Sequence, residues 1–538
     1  MPAIISDQFR ILNAENFAKS LTGIGTTNNN YYTFIGLPNS NDVGAGYGTT
    51  DWDSNTPAPK DGFREYNDVY DTMIAMKKLN SGDVQRMVRK YTWTAGTVYE
   101  MFKGTYTRDS LSPQTSATNL YDAKYYVVNS QFKVYICINN GQEPQNPLGK
   151  QSLDEPTFTD LEPKTAGTSG DGYLWKYLYT ISPSDIIKFD SIDYIPVPDN
   201  WGTGDTTDVK NAAVDGKVET ALIVNAGGGY QPISTTFNNI PILGDGTGGR
   251  ASITVDAQGK VNNVTITNGG SGYTRGNLKF FPGAPGSETG GPIVGLSAVG
   301  VGTTSVAEFE VIMPPPGGHG HDVYKELGAF RVLLYSRYEN DLTNPDFITG
   351  NDFARIGVVQ NPKTPSGALL NSSKASALYA LKLESLTPGG SPVNTTFAVD
   401  TPVYQTIGIG STAVGYVASW DSSTSVLKVY NPVGLGSTDY GFRLNNFSSQ
   451  IGVGGSYAIN GQSSGATLGI NTSFGTVSNP GTATTVGVAL VQLGQSFVEG
   501  VAQPEVKKYS GEVLYIDNRA AIQRSASQKE DIKIVLEF

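Results

Sequence analysis

Residues 170–179 read Gly-Asp-Gly-Tyr-Leu-Trp-Lys-Tyr-Leu-Tyr. A glycine turn leads directly into strict alternation, the period of a β-strand, whose successive side chains point to opposite faces. The pattern places Tyr173, Trp175, Tyr177 and Tyr179 on one face and Leu174, Lys176 and Leu178 on the other. Aromatic side chains suit a pleated, half-buried surface. The segment offers no catalytic group, so it points to packing or assembly.

The rest of the chain extends the β reading. Of 538 residues 64 are glycine, and only 16% are charged, against ~25% in typical globular chains. Such a length implies about three to five domains. The net charge of −11 argues against a general attraction to nucleic acid and suits simple solubility. The start, Met1 to Asp7, lacks the basic and apolar regions of a signal peptide, and no run approaches the ~20 apolar residues of a membrane span. The single cysteine, Cys137, lies in the apolar run Val134–Ile138 and reads as a buried strand residue, compatible with folding in a reducing cytoplasm.

Texture divides the chain into five parts: core segments 1–202, 306–370 and 506–538, a glycine-rich β insertion over 203–305, and a second β insertion over 371–505. In the first core segment Ser6 is positioned to cap a helix through Leu21 that presents Phe9, Leu12, Phe17 and Leu21 near one face. Asn67 or Asp68 is positioned to cap a second helix carrying Val69, Met73 and Met76. Strands are expected over 31–37, 125–128 and 134–138, and the prolines of Ile192–Pro198 mark an edge. The first insertion repeats itself: 221–230 (Ala-Leu-Ile-Val-Asn-Ala-Gly-Gly-Gly-Tyr) echoes 264–273 (Val-Thr-Ile-Thr-Asn-Gly-Gly-Ser-Gly-Tyr), with Tyr230 and Tyr273 43 positions apart. The second, with Gly415–Trp420 and Val426–Tyr430, suggests a small barrel or sandwich. Ile532, Ile534, Leu536 and Phe538 alternate as a closing strand. The expected fold is mainly β and multidomain: a discontinuous β-rich core with a few short helices and two inserted all-β modules.

Chemistry is sparse. The only histidines, His319 and His321, follow Pro314-Pro315-Pro316-Gly317-Gly318. On an extended backbone an i, i+2 pair points both imidazoles one way, towards a divalent metal with Asp322 or a group from a symmetry-related copy as a third ligand, but a closed zinc site usually needs four ligands. The plainer reading is a solvated turn. With no nucleophile motif nearby, a Ser-His-Asp or Cys-His arrangement is not supported. Gly244–Gly249 matches G-x-G-x-x-G, yet strand-like residues 251–255 follow where a dinucleotide site requires a helix. Asp51 and Asp53 flank Trp52 as a paired carboxylate near an aromatic, a pattern that glycosidases use and that chance also produces. No catalytic, metal or cofactor residue is assigned, and no cofactor is expected.

Set together, several landmarks resemble the baseplate wedge subunit of T-even-like contractile-tailed phages, the gene-product-eight family. They are Gly170–Leu178 with Asp193–Val197 and Trp201; Phe353–Pro362; and Tyr509–Arg519 with the ending Ile532–Phe538. Phe9-Arg10, Asn16-Phe17, Asp71-Thr72-Met73 and Trp93 fit in order. The resemblance covers about residues 1–200, 306–365 and 506–538; the two insertions depart from it. It implies a late, structural virion protein of the tail baseplate, made and assembled in the host cytoplasm. It implies a homodimer that contacts other baseplate wedge subunits and helps the extended-to-contracted switch, without enzymatic activity, nucleic acid or membrane as partner. Two other readings stand beside it. One is a host-surface or carbohydrate-binding tail accessory protein built on the glycine–tyrosine repeats; the other is a polysaccharide hydrolase working with carboxylates alone.

Overall fold

The computed structural model describes residues 4–22, 29–38, 52, 54–106, 117, 119–287, 291–298, 306–339, 352–386, 395–430, 446–462, 464–478, 481–523 and 529–538. The chain is mainly β, with short helices. It divides into two compact units. The first holds Met1–Ala18, Gln85–Leu333 and Val535–Phe538; the second holds Lys19–Val84 and Leu334–Ile534. No helix among the described residues is long and apolar enough to cross a membrane.

In the first unit the aromatic strand, Tyr173–Thr180, is the outer member of an antiparallel sheet with Lys133–Asn140 and Tyr126–Val128. Both of its faces are covered. Tyr173 and Trp175 lie in one core with Tyr135, Cys137 and Tyr99; Leu178 and Tyr179 lie in another with Val134, Ile136 and Ile138. The single aromatic face expected from alternation is therefore corrected. The register slips so that Val134 opposes Tyr179 and Tyr135 opposes Tyr177, leaving Leu178 as an extra residue. A bulge of this kind reverses the faces beyond it, sending Tyr179 to the opposite side from Trp175. Tyr194–Pro196 pairs with the strand at Met87–Arg89, in line with the extended edge expected there. In the helix Asp7–Thr22 the buried residues are Ile11, Ala14 and Leu21, whereas Phe9 and Leu12 are exposed, so the expected face is corrected by about a third of a turn.

The glycine–tyrosine repeat also belongs to the first unit and is built reciprocally. Val218 N–H donates to Gly269 O and Val261 N–H to Ala226 O, at 3.0 and 2.9 Å. Each bond is the other displaced by 43 residues in opposite senses. Gly216 and Gly259, with φ of 65° and 72°, occupy matching turns that an L side chain would strain. Asn225 and Asn268 each accept the N–H two residues on, both at 3.0 Å. The two copies thus form one intertwined module around Tyr230, Phe237, Ile253, Tyr273 and Phe280. The module shares a core with the aromatic sheet, since Leu222 and Ile312 pack in the Trp175 cluster.

In the second unit a five-stranded antiparallel sheet runs in the order Lys374–Ser376, Met73–Lys78, Tyr31–Gly36, Asp352–Gln360, Glu512–Gln523. Here the second expected helix is corrected. It spans Phe63–Asp71, starts after Gly62 with no side-chain cap, and ends at Thr72, so Asp68 lies inside it and Met73 and Met76 stand on a strand. Met73 to Met76 are all buried, which suits a strand covered on both faces and overrides the helical spacing.

Six strands between Tyr379 and Ile470 close into a barrel. Tyr379–Glu384 pairs with Val426–Tyr430, then come Ser411–Asp421, Pro402–Gly408, Ala458–Gly461 and Thr467–Ile470, which pairs back to Leu383 and Glu384. Closure removes the edges of these strands. Leu381, Val403, Val417, Leu427, Phe447 and Ile459 fill the interior.

Candidate functional site

The histidine segment of the first unit is the natural place to look for chemistry. Gly317, Gly318 and Gly320 all take left-handed backbone, with φ near 90°. The chain therefore coils where an extended i, i+2 presentation was expected, and the two imidazoles separate. His321 is exposed. His319 is 4% exposed, so the solvated-turn reading is corrected for this residue. Its Nδ1 lies 2.6 Å from Glu326 Oε1, and Glu326 Oε2 accepts the Gly320 N–H at 2.8 Å. The ring meets Phe102 edge to face at 4.8 Å. Asp322 caps the helix Val323–Leu327, accepting the Lys325 N–H, and left-handed Gly328 ends it. Short local capping of this kind folds the segment back so that Glu326 reaches His319.

Beside this pair is a cavity of about 880 Å³ lined by Phe102, Lys103, Tyr121, Met313, Pro315 and His321 among others. Its charged groups are engaged with one another. Lys103 Nζ is 2.9 Å from Glu310 and Lys325 Nζ 3.2 Å from Asp322. No described serine, threonine or cysteine hydrogen bonds to His319. Among the described residues no group of three or more His, Cys, Asp or Glu is placed to hold a metal ion. The His319–Glu326 pair locks a turn to a helix.

The second unit has a denser polar centre, assembled from segments far apart in the sequence. The helix Phe63–Asp71 turns Glu65, Asp68 and Asp71 inward, three residues apart, and all are buried. Arg355, fully buried on its strand, sits 3.6 Å from Glu65 and donates from Nε to Asn518 Oδ1 at 3.0 Å. Burial pushes the Glu65 carboxyl up, and the Arg355 charge offsets part of that rise. Asp71 receives Lys508 Nζ at 3.1 Å and the Tyr509 hydroxyl at 2.9 Å, while the Tyr70 hydroxyl donates to Ser510 O. Trp52 Nε1 donates to Arg519 O at 2.6 Å, and Asn518 Nδ2 to Pro57 O at 3.0 Å. The landmarks at 71–73, 353–362 and 509–519 thus meet in one clamp. Buried charges of this sort are tolerated because each is paired or hydrogen bonded.

The other singled-out residues take structural places. Cys137 is free and buried, and burial pushes its thiol well up, away from reactivity. The glycine string 244–249 is followed by the strand Arg250–Val255, so no helix N-terminus faces it. Asp245 accepts from the Thr274 hydroxyl and from the Thr274 and Arg275 N–H groups. Tyr230 and Tyr273 are buried, each hydroxyl held by backbone. Tyr230 Oη receives Ala307 N–H and donates to Phe280 O; Tyr273 Oη receives Gly249 N–H and donates to Ile242 O. Asp51 and Asp53 lie outside the described residues.

Sequence reasoning missed the buried ion pair Lys176–Glu219, with Nζ 2.8 Å from Oε1. A lysine inside an aromatic strand was its one visible sign. It also missed the Arg355 clamp, whose signal was the spacing of Glu65, Asp68 and Asp71. No protein-family model and no curated protein matches the chain.

Proposed function

We propose that the chain is a structural virion protein, a baseplate wedge subunit of a contractile phage tail, acting in baseplate assembly and in the extended-to-contracted switch. The observation that carries this reading is where the family-like landmarks lie. Residues far apart in sequence, Trp52, Glu65, Asp71, Arg355, Lys508 and Asn518, are consumed in holding strands to one another. In the first unit Trp175 and Ile195 are wholly buried. Distinctive side chains spent on internal clamps suit a load-transmitting part, which needs fixed strand registers more than a pocket. On this reading its partners are other wedge subunits and a second copy of itself, and it performs no catalysis.

The accessory-protein alternative has less support, because the repeat tyrosines that would stack on a sugar are buried and their hydroxyls are occupied. Mass spectrometry of purified contractile-tailed virions made with this chain tests the proposal: the chain is expected among the tail proteins, and its absence would refute the reading.

A further inference from the structure

The turns that close the two repeat strands are built alike and differ at one residue. Asn225 and Asn268 are both exposed, and each Oδ1 accepts the N–H two residues on at 3.0 Å. The donors, Gly227 and Gly270, take the same left-handed backbone, with φ of 63° and 62°. Between acceptor and donor stands Ala226 in the first copy and Gly269 in the second. A Cβ on Gly269 would run into Val218 O, so packing requires glycine there. The second turn therefore carries an Asn-Gly step where the first carries Asn-Ala.

An asparagine followed by glycine can react with its own backbone. The next amide nitrogen adds to the side-chain Cγ and closes a five-membered imide, and glycine leaves that nitrogen uncrowded. The chain has the Asn-Gly step at Asn140, Asn268 and Asn460. Hydrogen bonding separates them. Gly141 N–H donates to Asn139 Oδ1 at 2.8 Å, and Asn140 is buried with Nδ2 donating to Tyr99 O at 2.9 Å. Gly461 N–H donates to Ala466 O at 2.8 Å, and Asn460 lies on a strand paired on both sides. Among the described residues nothing accepts from the Gly269 N–H or from Asn268 Nδ2. The Gly270 N–H on Oδ1 curls the carboxamide back over the chain, and it is placed to hold the negative charge that develops on that oxygen during attack.

We infer that Asn268 is a site of spontaneous modification, converting through a cyclic imide with Gly269 to aspartate and isoaspartate. Gly269 N gives its proton to solvent base and bonds to Cγ; the Cγ–Nδ2 bond breaks and the nitrogen leaves as ammonia. Water then opens the imide at either carbonyl, with no change of oxidation state. Opening at the main-chain carbonyl leaves isoaspartate, which lengthens the backbone by a methylene just before Gly269. Gly269 O accepts the Val218 N–H at 3.0 Å, so this product loosens one side of the reciprocal lock and adds a negative charge to the turn. The other side, Val261 N–H to Ala226 O, stays as it is.

The test is peptide-mapping mass spectrometry of the full chain held at mildly alkaline pH, both folded and in denaturant. In the folded chain Asn268 is expected to convert at least about tenfold faster than Asn140, Asn460 or Asn225. Hydrogen exchange at Val218 is expected to quicken as it does. In denaturant Asn140, Asn268 and Asn460 are expected to convert at comparable rates. Ala226→Gly copies the step into the first turn and is expected to make Asn225 convert about as fast as Asn268, with circular dichroism confirming that the variant is folded. Any one of four results would overturn the inference: an Asn268 that stays intact in the folded chain, folded Asn140 or Asn460 converting equally fast, exchange at Val218 unchanged by conversion, or an inert Asn225 in folded Ala226→Gly.

Discussion

Removing the ammonium of Lys176 tests how the glycine–tyrosine module is fastened to the aromatic sheet. Lys176 stands on the aromatic strand opposite Ile136, and Glu219 directly precedes the first repeat strand. Their side chains are 3% and 5% exposed, with Nζ 2.8 Å from Oε1. Among the described residues Glu219 Oε2 is buried with no hydrogen-bond partner, so none of them is placed to replace the lysine if it is lost. Lys176→Met nearly conserves length and volume, which leaves the uncompensated carboxylate as the main change. Breaking a buried pair from one side costs about 3–5 kcal/mol, whereas replacing both partners by apolar groups of similar size is close to neutral. Lys176→Met is therefore expected to destabilise the first unit by about 3–5 kcal/mol, and Lys176→Met/Glu219→Leu to recover most of that loss. Hydrogen exchange of the strand Tyr173–Thr180 against urea reads the opening free energy where the pair sits, independently of the second unit. A loss below about 1 kcal/mol in the single variant, the usual worth of an exposed pair, would refute the reasoning. A double variant no better than the single would refute it equally.

Further outcomes follow from other groups. Tyr273→Phe orphans the Gly249 N–H and Ile242 C=O, and Tyr230→Phe the Ala307 N–H and Phe280 C=O. Each substitution is expected to cost about 1–3 kcal/mol in urea unfolding, and a cost near zero would show that the hydroxyls are not needed. The Thr274 hydroxyl and then its N–H hold the Asp245 carboxyl down at about 2. A depressed carboxyl stabilises above its unfolded value of about 3.9 and loses that contribution as pH falls towards 2. The thermal-melting difference between wild type and Asp245→Asn should thus stay level near neutral pH and close between about pH 4 and 2; a difference independent of pH would contradict this. Cys137 should resist a thiol reagent in the folded protein and react fully in denaturant; rapid labelling of the native chain would contradict its burial.

Much of the architecture was legible because period-two alternation and glycine turns are local signals. The strands at Tyr31–Gly36, Lys133–Asn140 and Val426–Tyr430, and the barrel or sandwich expected in the second glycine-rich stretch, all belong to that class. The tyrosine repeat was legible too, but its reciprocity was not, although Gly216-Lys217-Val218 and Gly259-Lys260-Val261 carry the same 43-residue offset. What failed was set by tertiary context. Nothing local marks Leu178 as a bulge; the partner strand decides it. Met73 and Met76 fit a helical stripe and a doubly covered strand equally well until the neighbouring strands are placed. The split of His319 from His321 depends on consecutive left-handed glycines that composition shows and conformation alone settles. The Arg355 clamp joins segments hundreds of residues apart, beyond any window of local pattern.

The most direct test of the central claim is a cryo-electron-microscopy reconstruction of the intact baseplate of a contractile-tailed virion that encodes this chain. The account predicts density in the wedges into which both compact units fit, with the aromatic strand Tyr173–Thr180 interior to the subunit and the Arg355 clamp intact. A baseplate whose wedges are fully occupied by other chains, with this one missing from the particle, would contradict it.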